Sequence, residues 1–384
     1  MSDTTDFEYV DRAVSLQDLS KRLSGSDWFA IDTEFHREKT YYPQLCLIQV
    51  ATPQIRAVID PLALDDLAPL LELLFDPAKL KVLHAARQDL EIFFHLGGAV
   101  PGPVFDTQLA APLLGYADQM GFGALVEAEL GVKLAKGHAR ADWLRRPLPE
   151  AQLNYAIDDV HYLVELYQGV RPRLAQMGRL EWLNEDFRAL EDPALYSVAP
   201  GEAWRRIKGA HRLRPAQLAV LVSLAEWREV RAREQNRPRN WILKDDVLLD
   251  IARARPTSGG ALSQIRSLNP DAHRRLGKTL INIVLAAGNA LPPEVSLYSP
   301  APALTPKTQA LVDVLSAFTK LIGERESIHH QALAPRKELE LLAQGERHVN
   351  VLRGWRRRLV GEELLAVLAG EHGLRVKDGV LTIE

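Results

Sequence analysis

The run Trp28-Phe29-Ala30-Ile31-Asp32-Thr33-Glu34-Phe35 constrains the fold more than any other stretch, because it reads as a strand with two carboxylates set into an apolar segment. Successive strand side chains point to opposite faces, so Phe29, Ile31, Thr33 and Phe35 share one face and Asp32 and Glu34 look out from the other. Two ionised carboxylates on a buried strand cost several kcal/mol or more unless a positive charge balances them. No Lys or Arg lies in the run. Either a divalent cation supplies the balance or this is an edge strand with its polar face in water.

Bulk properties narrow the class. The chain has 384 residues, 47% hydrophobic and 25% charged, which suits two or three globular domains with full cores. Formal charge is uneven: residues 1–200 sum to −12 and residues 201–384 to +9. An acidic half that handles a polyanion needs metal ions, and a basic half attracts nucleic acid, although solvated helix faces would give the same excess. The first residues are acidic and polar, without a basic segment leading into an apolar one, and no apolar run is long enough to span a bilayer. The expectation is a cytoplasmic protein with no membrane partner. Cys46 is the single cysteine and reads as a small buried hydrophobe.

In chain order, a lead-in helix over 9–24 is expected with Ser15 as its cap. Strands at 28–35, 45–51 and 56–60 follow as an antiparallel meander. Helical spacing over 64–75 places Asp65 and Asp66 in a first turn, and a strand at 79–84, a helix at 89–94 and a strand at 104–105 come next. Asp106 is placed to cap a helix over 107–114, and further helices are expected at 123–130 and 149–167. Between them lies a loop with Lys133, Lys136, His138, Arg140, Arg145 and Arg146, able to meet phosphates. Trp143 inside it either stacks on a base or anchors the loop on the core. The order is that of a mixed α/β sheet with flanking helices.

From about residue 202 the pattern is helical until a strand-like run at 379–383, and a Pro-rich break from Leu291 to Pro302 splits it, which gives domains 1–195, 202–290 and 302–384. The last two read as repeats: at an offset of 91, Trp227 falls on Phe318, Ile242 on Leu333, Leu248 on Leu339 and Ala252 on Ala343. Arginines surround Trp227 and Trp241 in the first copy and Trp355 in the second, a composition that serves single-strand binding or surface ion pairs equally. Gly277-Lys278-Thr279 is no phosphate-binding loop, since Ala272 stands where that loop needs Gly.

Two further acids complete a constellation. Asp89 lies near the start of a helix, and Tyr155 and Asp159 are spaced i and i+4, on one helix face. Two-metal phosphodiester cleavage needs such a set, because ions only ~4 Å apart share hard oxygen ligands drawn from different parts of the chain. At this point the sequence resembles the DEDD 3′–5′ exonucleases, and among them the ribonuclease D family. The likeness rests on Asp32-Thr33-Glu34-Phe35, the segment Thr40 to Gln49, His84-Ala85-Ala86-Arg87-Gln88-Asp89-Leu90-Glu91, Arg140-Ala141-Asp142-Trp143 and Tyr155-Ala156-Ile157-Asp158-Asp159. It implies a ribonuclease H-like α/β exonuclease domain, followed by two all-α helical-bundle domains of the helicase-and-RNase-D C-terminal (HRDC) type. It further implies Asp32, Glu34, Asp89 and Asp159 as ligands of two divalent ions, Mg²⁺ or Mn²⁺, and Tyr155 as the residue that orients water. Asn154, where a sister group has His, points to the tyrosine type. The expected activity is hydrolysis of RNA with a free 3′ end to nucleoside 5′-monophosphates, tRNA precursors among the substrates, by a monomer. Phe35, Gln44, His84 and Trp143 are the candidates for touching substrate. The rivals are a DNA exonuclease and a catalytically inactive RNA-binding protein.

Overall fold

The structure, a computed structural model, describes residues 6–135, 137, 141–288 and 304–384. The Pro-rich break and the loop residues Lys136, His138 and Arg140 lie outside the described residues. The chain divides into two compact units, one of Met1–Phe35, Leu45–Asp192 and Ala303–Glu384, the other of His36–Gln44 and Pro193–Pro302.

The first unit is built on a six-stranded sheet: β1 (Glu8–Val10), β2 (Trp28–His36), β3 (Gln44–Ala51), β4 (Arg56–Ile59), β5 (Leu80–Leu83) and β6 (Val104–Asp106). Their order across the sheet is β1-β4-β3-β2-β5-β6. β3 and β4 pair antiparallel, with Val50 opposite Ala57. β5 lies parallel to β2, with Phe29 opposite Lys81, and β6 parallel to β5. The expected meander is therefore the middle of the sheet, and β2 is a central strand rather than an edge. The lead-in differs: Glu8–Val10 is a strand parallel to β4, and the helix α1 (Ala13–Leu23) starts after Arg12, which puts Ser15 inside the helix.

Helices cross between the parallel strands, as a parallel pair requires. α2 (Ala68–Phe75) joins β4 to β5; it starts later than the spacing suggests, Asp65 and Asp66 preceding it, with Asp66 accepting from the Ala68 amide at 2.8 Å. α3 (Arg87–Gly97) joins β5 to β6, and α4 (Thr107–Ala110) begins at Asp106, whose side chain accepts from the Gln108 amide as expected of a cap. α5 (Phe122–Leu130) leads to the long α6 (Glu150–Gln176), which packs on β4 and β5. Lys81, fully buried on β5, is held by the carbonyls of Asp76, Lys79 and Gly102 at 2.5–3.0 Å.

The C-terminal part of this unit is helical from Pro306 to Ala369 and ends in a hairpin, Leu374–Lys377 with Val380–Ile383. The strand expected at 379–383 is present as Val380–Ile383; what is corrected is the all-α description of the last domain, since Leu374–Lys377 pairs with that strand across a turn with positive φ at 378 and 379. Arg179 ties this part to the helical turn that follows α4 by donating to the Leu113 carbonyl at 2.8 Å and the Glu326 carbonyl at 2.7 Å. Trp355 stacks on Trp182 with ring centres 4.9 Å apart, and Arg356 pairs with Asp186 at 3.0 Å. Arginine and tryptophan near residue 355 thus hold the unit together, and Trp355 is only 4% exposed.

The second unit packs α7 (Pro215–Glu234), α8 (Asp245–Ala254) and α9 (Pro270–Ala286) around a core that includes Trp204, Leu221, Leu224, Leu248 and Leu280. Segment 36–44 is docked on this core. Asn236, in the left-handed region at φ 46° that Asn tolerates, accepts from the amides of Tyr41 and Tyr42 at 3.0 and 3.1 Å. The 91-residue offset recurs in the elements: Pro215 and Pro306 both open long helices, and Arg239–Ile242 and His330–Leu333 are both one-turn helices.

Candidate active site

Period-2 alternation on β2 works out as expected: Phe29, Ile31 and Thr33 are buried, and Asp32 and Glu34 face a cavity of about 190 Å³. Asp159 on α6 and Tyr155 one turn before it line the same cavity, with His84, Phe122 and Leu163. Carboxylate oxygens of Asp32, Glu34 and Asp159 lie within 4.8 Å of one another. Asp89, in the first turn of α3, is 6% exposed and accepts the hydroxyl of Thr33, the residue between the two strand acids. Its charge and that of Asp32 act on each other's neighbourhood strongly enough to move the acids' protonation. Asp32, Glu34 and Asp159 thus meet, and Asp89 stands beside them on Thr33, outside the group within 4.8 Å and off the cavity wall.

No arginine or lysine charge acts on this group among the described residues, and burial dominates. Burial and then the Asp159 charge push Asp32 up to about 8. Burial and the charges of Asp32, Asp159 and Asp89 push Glu34 to about 9. Burial and Asp158 raise Asp159 to about 7 against a hydrogen bond from Tyr155, and burial and Asp32 hold Asp89 well above the usual carboxylate range. Burial followed by the charges of Asp159, Glu34 and Asp32 raises the Tyr155 phenol, so it stays protonated and donates to Asp159. Four clustered carboxylates without a counter-charge fit hard divalent cations.

The linkage has a definite sign. Folded-state values raised above about 4 stabilise the metal-free fold fully below pH 4, and that contribution is lost as pH rises through 7 to 9. Added Mg²⁺ or Mn²⁺ is therefore expected to raise the melting temperature by a few degrees at pH 8 and far less at pH 5. Differential scanning fluorimetry at both pH values reads this; equal shifts would break the link between the acids and the ion.

The remaining sequence candidates separate. His84 reaches the cavity, but both ring nitrogens are engaged, Nδ1 with the Thr107 hydroxyl at 2.9 Å and Nε2 with the Met120 carbonyl at 3.1 Å. Burial lowers its pKa, so it is a neutral wall of the site. Phe35 is half-buried near the end of β2, and Gln44 is exposed at the start of β3. Trp143, 3% exposed and 6.3 Å from the Tyr155 ring, matches the anchoring alternative rather than the stacking one. Arg146 is likewise committed, holding Asp60 through both Nε and Nη2 at 2.6 and 2.7 Å and the Cys46 carbonyl at 2.8 Å. Thr33, Phe122 and Leu163 were missed. Only Thr33 had a signal, its place between two acids on a strand.

Comparison with known proteins agrees with this geometry. A family profile described as 3′–5′ exonuclease matches residues 7–175, and one described as HRDC domain matches residues 217–284. Ribonuclease D of Bartonella henselae is 36% identical over 377 residues, covering 96% of this chain and 92% of the relative. Ribonuclease D of Gluconacetobacter diazotrophicus is 40% identical over 380 residues, covering 94% of each. The crystal structure of Escherichia coli RNase D, described as an exoribonuclease involved in structured RNA processing, superposes with a TM-score of 0.83 at 34% identity, over 95% of this chain and 99% of that one. The catalytic core of RRP6 from Trypanosoma brucei follows at 0.57 and 27%, over 74% and 80%. With its four acids on a central strand and two helices, and with relatives along nearly its whole length, the chain belongs to the ribonuclease D family of 3′–5′ exoribonucleases.

Proposed function

We propose that Asp32, Glu34, Asp89 and Asp159 hold two divalent ions, Mg²⁺ or Mn²⁺, and that the chain removes nucleoside 5′-monophosphates from RNA 3′ ends, tRNA precursors among them. The observation that carries this is the meeting of three carboxylates within 4.8 Å, with Asp89 fixed beside them by Thr33. Bound divalent cations supply Lewis-acid charge to a phosphodiester and acidify water. The protein's part is to place them. β2 fixes two acids through the sheet, and α3 and α6 bring the other two, so the ligand set is rigid before any ion arrives. Tyr155, kept as a phenol and anchored on Asp159, orients the attacking water by hydrogen bonding rather than by taking its proton. His84, held neutral, adds no charge to the acidic wall.

The 91-residue recurrence of helix starts supports reading 302–384 as a second domain of the HRDC kind, beside 1–195 and 202–290. No helix among the described residues is long and apolar enough to cross a membrane. Incubation of the protein with matched RNA and DNA oligomers and Mn²⁺ tests the reading. Stepwise release of nucleoside 5′-monophosphates from RNA is expected, and preference for DNA, or binding without product, would overturn it. Tyr155→Phe is expected to lower kcat by about 10²-fold with little change in KM, since the phenol acts on the water and not on substrate affinity.

A further inference from the structure

Asp106 does more than cap α4. The parallel register sets Leu83 opposite Asp106, so the Asp106 side chain meets the chain as it leaves β5. One carboxylate oxygen accepts the Gln108 amide at 2.8 Å, which is the cap, and also the Ala85 amide at 3.1 Å. The other accepts the Ala86 amide at 2.9 Å. The residue is 2% exposed, and its hydrogen bonds go to these backbone amides alone. Thr107, fully buried, grips the same turn: its hydroxyl donates to the Leu83 carbonyl at 3.1 Å and lies 2.9 Å from His84 Nδ1. Ala85 is exposed and sits at φ 56°, in the left-handed region that residues other than Gly, Asn and Asp seldom adopt. α3 starts directly after it, from Ala86, which supplies no capping side chain, and Asp89 stands in the first turn.

A cap needs one bond, and Asp106 makes three, two of them to residues 20 and 21 positions earlier. Those two fix a turn that has every reason to relax. Because the helix is stiff from Arg87 onward, a change of φ at Ala85 would tilt α3 and carry the Asp89 carboxylate with it, and an ion site tolerates only about 0.5 Å of such movement. We propose that Asp106 is a positioning residue for the ion site: by holding the Ala85 and Ala86 amides it sets the turn that aims α3, and with it the place of Asp89. The inference rests on Asp89 being an ion ligand and adds what holds it from the helix side, as Thr33 does from β2.

Asp106→Asn separates the two roles, because Asn caps a helix as well as Asp does. Its carbonyl oxygen keeps the Gln108 and Ala85 bonds, and its amide nitrogen then faces the Ala86 N–H, donor against donor. Calorimetric titration of the full chain with Mn²⁺ is expected to show about tenfold weaker binding, and kcat on RNA to fall about tenfold with KM within about twofold. Unchanged affinity and kcat would leave Asp106 a cap and overturn the proposal. Asp106 is also near enough for its charge to act on Asp89, and a glycine tells geometry from charge. Ala85→Gly, unstrained at positive φ, is expected to recover about threefold of the lost Mn²⁺ affinity in the Asp106→Asn background; no recovery would mean a loss through charge alone and would overturn the role of the turn. Amide exchange in the wild type needs no variant to fold: the Ala85 amide, although its residue is exposed, is expected to exchange at least about 100-fold slower than an open amide, and free exchange there removes the hold. Asp89→Asn tests the reading beneath. If it binds Mn²⁺ as the wild type does, Asp89 is no ligand and this proposal falls with that reading; if it weakens binding and Asp106→Asn does not, the positioning role alone fails.

Discussion

Asp32→Asn and Asp159→Asn are each expected to lower RNA hydrolysis by about 10³-fold or more and to leave the metal-free protein at least as stable at pH 8 as the wild type. The first effect follows from deleting a charged ligand from a set in which three carboxylates meet within 4.8 Å; loss of several kcal/mol of transition-state charge stabilisation corresponds to that factor. The second follows from the same geometry. Asp32 and Asp159 each raise the pKa of a neighbouring acid, so replacing either by a neutral amide relieves repulsion in the absence of an ion. The metal-induced rise in melting temperature should fall with activity. A variant that keeps turnover within tenfold of wild type would remove its residue from the site, and one that fails to fold would contradict the charge argument.

That cluster was legible in the sequence because two of its acids sit on a strand whose alternation fixes where they point. Asp89 and Asp159 were weak signals one by one, since an Asp in the first turn of a helix, or at i+4 from Tyr, has several uses; they gained weight as members of a four-acid set and through the family resemblance. β1 was not legible: three residues carry no periodicity, and what makes Glu8–Val10 a strand is pairing with β4, along with the Tyr9 hydroxyl on Asp60 at 2.6 Å. Arginine presents the same difficulty on a larger scale. Arg146, Arg179, Arg228 and Arg356 look in sequence like surface cations, yet each is spent on carbonyls or a carboxylate inside its unit. Their partners lie up to 170 residues away, as Asp186 does from Arg356. Spacing says which face of an element a residue occupies; it does not say what arrives opposite.

Glu229→Gln is expected to destabilise the second unit by about 3 kcal/mol, although nothing in its sequence neighbourhood marks it. Its carboxylate is fully buried and receives the Tyr41 hydroxyl and the guanidinia of Arg233 and Arg239. Removing one partner of a buried ion pair costs about 3–5 kcal/mol, and the low end applies because Arg233 and Arg239 keep 24% and 31% of their side chains exposed. Although burial alone would push Glu229 up, hydrogen bonds from Arg239 and Tyr41 bring it down to about 2. A lowered folded-state value means that the stabilisation is present above about pH 4.5 and lost as pH falls toward 2, and Glu229→Gln should erase that dependence. Tyr41 stands 188 residues from Glu229, in the segment between β2 and β3, so the same substitution should speed amide exchange at residues 36–44 together with α7. Tyr41→Phe removes the hydroxyl that also accepts from Arg239 at 2.8 Å and Arg233 at 3.1 Å. Its loss should therefore be strongly non-additive with that of Glu229→Gln in a double-mutant cycle read by thermal unfolding. If the two losses simply add, phenol and carboxylate act independently.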